Sequence, residues 1–375
     1  MSIENIFTEN VEAKIDSIKK KLNDKVPVVL VGMGNLGVKV ASILIERGVN
    51  LVAVSDNGIR KQGTDWNNYK ILSPAIAAKE YSNALWFVSI WSPGHSFSST
   101  KVQLNSLGIN AVYPVSVLFQ IFSQQLLPHF HFDSPSYFLN AKDEIMKVYE
   151  QLADAESKSQ YEKHVEVRIT GDFTRLPAAD IENQYFPGDI VKLSKHEVFI
   201  DAGAFVGDTL ECFLNKTESQ FDCYVALEPD PSNFEKLKSY VSSLNLKNIS
   251  LLPLAVGDEK KQLKFTATGD GGASISDDGY LTVECDSIDN LVQQNLKEKI
   301  TFIKMDIEGA ELDALHGAKG TILRDKPVLT VCIYHKPDDL WKIPLYVMKE
   351  FPFYKLYTRT HQYDGLDFVL YAIPE

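Results

Sequence analysis

Buried strands alternate with helices twice along this chain, and each series opens on a glycine-rich turn. The first series begins at Val26–Val31 and the second at Val198–Ile200. Apolar runs of this kind, each followed by a helix, are typical of parallel sheets that are covered on both faces. A length of 375 residues is enough for two such domains. The sequence therefore predicts an α/β chain with two separate, mostly parallel sheets.

The domain boundaries follow from where the strand pattern starts and stops. Residues 1–120 are predicted to form a smaller N-terminal domain that opens with an amphipathic helix over residues 5–25. Residues 121–190 lack strong strand signals and are predicted to be a mainly helical connector. The strands predicted after Val26–Val31 in the first domain are Asn50–Ser55, Ala84–Ile90 and Ala111–Tyr113.

The C-terminal domain is predicted to span residues 191–375. Its strands are predicted at Val198–Ile200, Tyr224–Leu227, Ser250–Ala255, Phe302–Met305, Val328–Ile333, Tyr354–Tyr357 and Phe368–Ala372. Helices separate the first five of these strands. Only a loop separates the last two, so we expect one of them to run antiparallel.

The first glycine-rich turn has the spacing of a dinucleotide-binding motif. Gly32, Gly34 and Gly37 follow a strand and open a helix, and Asp56 ends the next strand. In that motif the glycines let the backbone approach a pyrophosphate, and the acid binds a ribose diol. The domain is short for a second βαβ half and offers no hydride-transfer residue. A nucleotide site and a domain used for packing or dimerisation therefore both stay open.

The second glycine-rich turn differs from the first in its glycine spacing and in the acid that precedes it. Asp201 ends a strand, and Gly203 and Gly207 follow it at a spacing that departs from the dinucleotide motif. An acid at this point would repel a pyrophosphate but suits a positively charged amine or sulfonium. Glu228 ends the next strand, where a carboxylate can accept hydrogen bonds from a ribose diol. Together these residues predict a pocket for S-adenosylmethionine.

The surrounding motifs make the resemblance specific. They are Asp201-Ala-Gly-Ala, Glu228-Pro-Asp-Pro, Ala255-Val-Gly-Asp, Lys304-Met-Asp-Ile-Glu-Gly-Ala-Glu, Gln184-Tyr-Phe-Pro-Gly-Asp and Tyr334-His-Lys-Pro-Asp-Asp-Leu. Over residues 184–375 the chain resembles the FkbM family of S-adenosylmethionine-dependent methyltransferases. The resemblance implies the class I methyltransferase fold, a seven-stranded Rossmann-like sheet with its last strand antiparallel. The domain before it resembles a smaller Rossmann-like module.

The resemblance also implies which residues bind the cofactor. The loop on the methionine side contains Asp201, Gly203, Ala204, Gly207 and Asp208. By the same resemblance Glu228 holds the ribose, with Pro229 as a further cofactor-binding residue, Asp258 lies near the adenine, and the aromatic side chains of Tyr185 and Phe186 cover the cofactor.

Methyl transfer to a hydroxyl needs a group that removes a proton. The candidates at strand ends are Lys304, Asp306, Glu308 and His335. His335 is the first choice, because its reference pKa is near 6.5, and Asp306 is the second. Asp306 with Glu308 is also an alternative site for a divalent metal ion, although no spacing demands a metal. Glu311 is expected to face along the helix that follows.

The net charge and the cysteines limit the possible partners and the cellular compartment. The net charge is −12, which argues against a nucleic-acid partner. Four scattered cysteines and the absence of a signal peptide or an apolar span favour a cytoplasmic protein.

We therefore expect an O-methyltransferase that acts on a small molecule or glycan, with a hydroxyl of a sugar, glycolipid, polysaccharide or secondary metabolite as acceptor. The alternatives are a non-catalytic sensor or scaffold of a glycan pathway and a nicotinamide-dependent oxidoreductase that uses Gly32–Gly37. A homo-oligomer is compatible with the sequence.

Overall fold

The chain folds into two units, each built around its own parallel sheet. The computed structural model describes residues 3–8, 11–266, 274–275, 279 and 281–375. The first unit comprises Met1–Asp143, Ser159–Ala179 and Gln362–Leu366, and the second comprises Glu144–Lys158, Asp180–His361 and Asp367–Glu375. Residues 121–190, predicted as a connector, are thus divided between the two units.

The first unit contains a six-stranded sheet. Its strands are β1 (Val28–Val31), β2 (Leu51–Ser55), β3 (Asp65–Trp66), β4 (Tyr69–Leu72), β5 (Leu85–Val88) and β6 (Val112–Pro114). Its helices are α1 (Ile3–Ile6), α2 (Val11–Asn23), α3 (Asn35–Glu46), α4 (Pro74–Glu80), α5 (Phe97–Ser106), α6 (Val115–Ile121), α7 (Ser123–Leu126) and α8 (Pro135–Asn140). The strand order is β3-β4-β2-β1-β5-β6, and every pairing except β3 with β4 is parallel.

The centre of this sheet is apolar because β1 is buried on both faces. All four residues of Val28–Val31 are fully buried, as a covered parallel strand requires. The helix predicted over residues 5–25 is described as two helices, α1 and α2, and its residues 9 and 10 lie outside the described part of the chain. The short pair β3 and β4 was not predicted.

Helices and short turns follow the first sheet. They are α9 (Lys142–Gln151), α10 (Ala155–Thr170) and two 3-10 helices at Phe173–Arg175 and Ile181–Asn183. The chain then enters the second sheet.

The second unit contains the predicted seven-stranded sheet. Its strands are β7 (Val198–Ala202), β8 (Cys223–Leu227) and β9 (Ile249–Leu252), followed after a four-stranded insertion by β14 (Phe302–Met305), β15 (Val328–Cys332), β16 (Tyr354–Thr360) and β17 (Phe368–Pro374). The insertion consists of β10 (Ala255–Val256), β11 (Lys261–Thr266), β12 (Ser274–Ile275) and β13 (Leu281–Asp286). The helices are α11 (Asp208–Lys216), α12 (Pro231–Leu244), α13 (Ile288–Asn295), α14 (Glu311–Gly317), α15 (Lys319–Asp325) and α16 (Asp339–Glu350), with a 3-10 turn at Tyr363–Gly365.

The topology of this sheet confirms the predicted fold class. The strand order is β16-β17-β15-β14-β7-β8-β9, and β17 runs antiparallel to both of its neighbours. The carboxyl ends of β7, β8 and β14 therefore lie at one edge of the sheet, beside the point where the strand order reverses. Ligands of open α/β sheets bind at such a point.

The strand predicted at Ser250–Ala255 is wrong in its second half. β9 ends at Leu252, and Ala255 belongs to β10 in the four-stranded sheet, whose order is β10-β13-β11-β12. Pro253 separates the two strands, and it has no N–H group with which to continue the ladder. This four-stranded sheet was not predicted, and its residues form one side of the site described below.

In the described part of the chain, no helix combines the length and the apolar character that crossing a membrane requires.

Candidate functional site

The ends of β7 and β14 approach each other so closely that only glycine fits between them. Gly203 follows β7 with φ +82°, and a Cβ atom placed on it would lie 1.8 Å from the carbonyl oxygen of Asp306. No other residue type tolerates both that backbone angle and that distance. The Gly203 turn and the Asp306 loop thus form one surface at the edge of the sheet.

A buried ion pair lies beneath this surface. Lys304 Nζ lies 3.0 Å from Asp201 Oδ1 and also donates a hydrogen bond to the Gly203 carbonyl. The Tyr224 hydroxyl donates to the other oxygen of Asp201 at 2.6 Å. Both charged side chains are almost fully buried. Burial alone would lower the pKa of Lys304, but the carboxylate of Asp201 raises it well above its usual value.

These contacts argue against the roles predicted for two residues. Lys304 stays protonated and is engaged by Asp201, so it is a poor proton acceptor, contrary to its predicted catalytic role. Asp201 meets Lys304 rather than an open cavity, so we infer that it holds the turn in place and does not contact a cofactor directly. The sequence does not predict this ion pair, because the two residues lie on different strands and become neighbours through the register of β7 and β14.

Glu228 ends β8 at the same edge of the sheet. Its carboxylate oxygens accept hydrogen bonds from the backbone N–H groups of Phe205 and Asp230, at 2.9 and 2.8 Å. Burial raises the pKa of Glu228 to about 7, although the two N–H groups oppose this effect. Each oxygen keeps a further lone pair, so the carboxylate can still accept hydrogen bonds from a diol.

A cleft with about 460 Å³ of empty volume opens beside Glu228. One side is formed by Gly203, Asp306, Ile307 and Glu308, and the other by Glu228, Leu254, Val256 and Phe265. The first side is acidic, whereas the second combines one carboxylate with apolar side chains. Leu254, Val256 and Phe265 were missed in the sequence, because they lie in or beside the unpredicted four-stranded sheet.

His335 lies behind the acidic side of the cleft, among three carboxylates. Its Nδ1 is 2.7 Å from Glu311 Oε1, and its Nε2 is 3.3 Å from Asp306 Oδ1 and 3.7 Å from Glu308 Oε2. Burial alone would lower the pKa of His335, but Glu311 and Glu308 raise it well above its usual value. The imidazole is therefore protonated at neutral pH, which argues against the predicted role of His335 as the free base.

Glu311 does not face along its helix, contrary to expectation. Its side chain is fully buried, and Oε1 accepts hydrogen bonds from the N–H groups of Ile307 and Gly309 as well as from His335. The first residue of α14 thus ties the loop after β14 to the imidazole.

Glu308 is one of the two partly exposed acids around His335, with Asp306. Its side chain is 24% exposed, it lines the cleft, and it accepts no hydrogen bond from another described residue. Its backbone is in the left-handed region with φ +55°, a conformation that few non-glycine residues adopt. Burial raises the pKa of Glu308 to about 8, with repulsion from Asp306 adding to the effect and His335 opposing it.

Asp306 differs from Glu308 in its partners. The Tyr185 hydroxyl donates to Asp306 Oδ2 at 2.6 Å. Burial alone would raise the pKa of Asp306, but Lys304 and His335 hold it below its usual value. Asp306 is therefore ionised at neutral pH and fixed in orientation.

The remaining predicted cofactor residues fall into two groups. Ala204, Gly207 and Pro229 lie in the turns after β7 and β8, Gly207 caps α11 at φ +99°, and Asp208 is the first residue of that helix. Tyr185 and Phe186 are not on the cleft. The Phe186 ring packs within about 6 Å of Phe199, Phe213 and Phe302, and Tyr185 is buried against Lys304 and Asp306, so neither is placed to cover a ligand.

Asp258 also lies outside the cleft lining. Its carboxylate is 42% exposed and pairs with Lys261 at 2.6 Å.

In the first unit, the side chain of Asp56 accepts hydrogen bonds from the backbone around the other glycine-rich turn. Asp56 Oδ2 accepts the Met33 N–H at 2.7 Å, Oδ1 accepts the Gly58 N–H at 2.7 Å, and Lys61 Nζ lies 3.1 Å away. Gly37 is required for packing, since a Cβ there would lie 1.8 Å from the Gly32 carbonyl oxygen, whereas a Cβ on Gly34 would meet nothing. The carboxylate of Asp56 therefore already binds groups of the protein itself, in the place of a ribose diol.

We expect Asp56→Ala to destabilise the first unit by about 2–4 kcal/mol, because two backbone N–H groups lose their acceptor. Chemical unfolding of both proteins measures this difference. If Asp56 instead serves a nucleotide site, the variant would unfold like the wild type and lose binding of NAD.

The comparisons with known proteins agree on the second unit. Residues 201–363 match the family described as the methyltransferase FkbM domain. The 2-O-methyltransferase NoeI of Sinorhizobium fredii is 26% identical over 155 residues, which cover 36% of this chain and 62% of that relative. The matched region thus spans less than two thirds of the relative's own length.

A solved structure matches the chain over almost its whole length. It is the crystal structure of methyltransferase FkbM from Methylobacillus flagellatus KT, with a TM-score of 0.78, 20% identity and coverage of 98% of this chain and 99% of its own. At this identity the match shows the fold. Together with the domain match, it confirms the resemblance that the sequence predicts.

Proposed function

Because its residues 201–363 belong to the FkbM methyltransferase family, we propose that this chain is an S-adenosylmethionine-dependent O-methyltransferase. The observation that carries this proposal is the cleft at the carboxyl ends of β7, β8 and β14. It presents the carboxylate of Glu228 next to apolar side chains on one side and an acidic loop on the other.

The lining of the cleft fits the cofactor in chemical type. Glu228 would hold the ribose diol, and Leu254, Val256 and Phe265 would flank the adenine. The Gly203 turn would receive the methionine part of the molecule. When bound, S-adenosylmethionine supplies an electrophilic methyl group on a positively charged sulfur, and the ionised carboxylate of Asp306 gives that end of the cleft a complementary charge.

We propose Glu308 as the group that removes the proton of the acceptor. A hydroxyl oxygen that forms a new bond makes its proton strongly acidic, so a carboxylate within reach is a sufficient base. Glu308 is the acid on the cleft with no hydrogen-bond donor among the described residues, and its pKa of about 8 suits a base near neutral pH. His335 and Glu311 act as positioning residues behind it.

A hydroxyl of a sugar is the acceptor that we propose. A base beside the methyl donor is needed for oxygen acceptors, and the name of the relative NoeI specifies 2-O-methylation. The test is an assay of S-adenosylhomocysteine formation with S-adenosylmethionine and a panel of mono- and oligosaccharides, beside amines and thiols as controls. We expect product with a saccharide. Transfer to amines or thiols alone would contradict the proposal.

The pKa of Glu228 gives this site a pH dependence that can be measured. The ionised carboxylate accepts the stronger hydrogen bonds from a diol, so cofactor affinity is full above pH 7 and falls as the pH decreases through about 7. Between pH 8 and pH 6 we expect S-adenosylhomocysteine affinity to fall about tenfold, following the ionised fraction.

Glu228→Gln is the matched control, since glutamine cannot ionise. Its affinity should be lower and independent of pH over the same range. A wild-type affinity that does not change between pH 8 and pH 6 would mean that Glu228 does not bind the diol.

A further inference from the structure

We propose that Lys336 binds an anionic group of the methyl acceptor, so that the acceptor is a sugar that carries a phosphate or a carboxylate. Lys336 lies in the loop after β15 and its side chain is exposed. Lys304 on the neighbouring strand β14 is buried and already paired with Asp201. A lysine selects a ligand when its position is fixed and its charge is free, and Lys336 meets both conditions.

The position of Lys336 is fixed by the loop that follows β14. A Cβ atom placed on Gly309 would lie 3.0 Å from Lys336 Cε and 3.6 Å from its Cγ, so the methylene groups of the lysine cover this glycine. Gly309 stands between Glu308 and Ala310, which both line the cleft. Lysine stems commonly lie along protein surface in this way while the ammonium group stays in water.

The backbone of Lys336 is held as well. Its N–H donates to Asp339 Oδ2 at 2.8 Å, and its carbonyl oxygen accepts the Asp339 N–H at 3.3 Å. The first turn of α16 therefore holds the residue from one side and the Gly309 loop from the other.

The charge of Lys336 is free. Within the described residues, none forms an ion pair or a hydrogen bond with its ammonium group. The acids that follow it in sequence are engaged elsewhere. Asp338 pairs with Lys342 at 2.5 Å, and Asp339 accepts the backbone N–H of Lys336. A cation without a counter-ion of its own is available to an anionic ligand.

The order of the strands places Lys336 on the side of the acceptor. β14 lies between β15 and β7 in the sheet. The Gly203 turn and Glu228, which are proposed to hold the cofactor, follow β7 and β8, whereas Lys336 follows β15. Glu308, the proposed base, lies on the loop after β14, between these two sides. An acceptor whose hydroxyl reaches Glu308 from the side opposite the cofactor would therefore meet Lys336.

A phosphate or a carboxylate fits this lysine chemically. An ammonium group is a compact charge with three N–H donors, and it binds oxyanions without the planar geometry that arginine requires. Its hydrogen bonds to an oxyanion are about twice as strong as those between neutral groups, and a neutral saccharide offers hydroxyl groups only. Sugar phosphates and uronic acids share the required chemistry.

This inference rests on the proposed function in taking the acceptor as a saccharide, but it is tested by binding and without methyl transfer. The probes are glucose 1-phosphate and glucuronate, with methyl glucoside as their neutral counterpart. Each is titrated into the full chain in the presence of S-adenosylhomocysteine, and saturation-transfer NMR gives its affinity.

We expect at least one anionic probe to bind about tenfold more tightly than methyl glucoside, and Lys336→Met to abolish this preference. Lys336→Arg keeps the charge and should retain most of it. Lys349→Met is the matched control, because Lys349 is 81% exposed on α16 and its loss changes the net charge equally; it should bind the probes like the wild type. Melting temperatures show whether each variant is folded.

Three results would overturn the proposal. They are equal affinity of the wild type for the anionic and neutral probes, an unchanged preference in Lys336→Met, and a loss of S-adenosylhomocysteine affinity in Lys336→Met, which would assign the lysine to the cofactor. A chain that binds an anionic sugar through Lys336 but methylates no saccharide would contradict the proposed function and leave this inference standing.

Discussion

Glu308→Gln is expected to lower the turnover number of methyl transfer by about 10²- to 10³-fold, because it removes the proton acceptor while keeping the size of the side chain. The loop after β14 should keep its conformation, because its hydrogen bonds are made to Glu311 and not to Glu308. Affinity for S-adenosylhomocysteine should change much less than turnover, since we propose that Glu228, and not Glu308, holds the diol.

The measurement is a steady-state assay with the saccharide acceptor, together with a binding titration of the same preparations. Glu235→Gln is the matched control, because Glu235 is 69% exposed on α12 and should leave both quantities unchanged. Turnover of Glu308→Gln within a factor of two of the wild type would mean that another group removes the proton.

Lys304→Met should have the largest effect on stability. The substitution leaves Asp201 buried without its counter-charge, and breaking a buried pair in this way costs about 3–5 kcal/mol. It also removes the donor to the Gly203 carbonyl, so the cleft should lose its shape. The free energy of unfolding in urea, measured for the wild type and the variant, gives the difference.

The double variant Asp201→Asn/Lys304→Met separates the ion pair from other effects. Removing both charges takes away the uncompensated carboxylate, so part of the lost stability should return. If the double variant is less stable by the full sum of the two single losses, the two side chains do not interact in the way described.

The sequence predicts the second sheet well because its strands are buried apolar runs. Phe302–Met305 appears in the structure with the predicted bounds, and the antiparallel last strand follows from the short connection before it. The four-stranded insertion escapes prediction for a physical reason. Its strands are short or alternate between polar and apolar residues, as in Lys261–Thr266, and they bury one face only.

The candidate site is predictable in part. A motif places Glu228 and Asp306 at strand ends, and strand ends of a parallel sheet meet at one edge. The contacts that each site residue makes cannot be predicted in this way, because they depend on strand register and on side-chain direction. Asp201 pairs with Lys304, and Glu311 bonds to His335, across different elements of the fold. No local sequence pattern encodes either contact.

The same reason explains why Phe186 was misplaced. An aromatic residue next to a motif is compatible with a cofactor cover and with a core position. The neighbouring rings of Phe199 and Phe302, which decide between them, are distant in sequence.

Calorimetric titration with S-adenosylhomocysteine tests most directly whether the cleft beside Glu228 is the cofactor site. We expect one molecule bound per chain in the micromolar range, at least tenfold weaker binding in Glu228→Ala through loss of the diol hydrogen bonds, and no heat from NAD. No binding of S-adenosylhomocysteine, or equal affinity in the wild type and Glu228→Ala, would contradict this assignment.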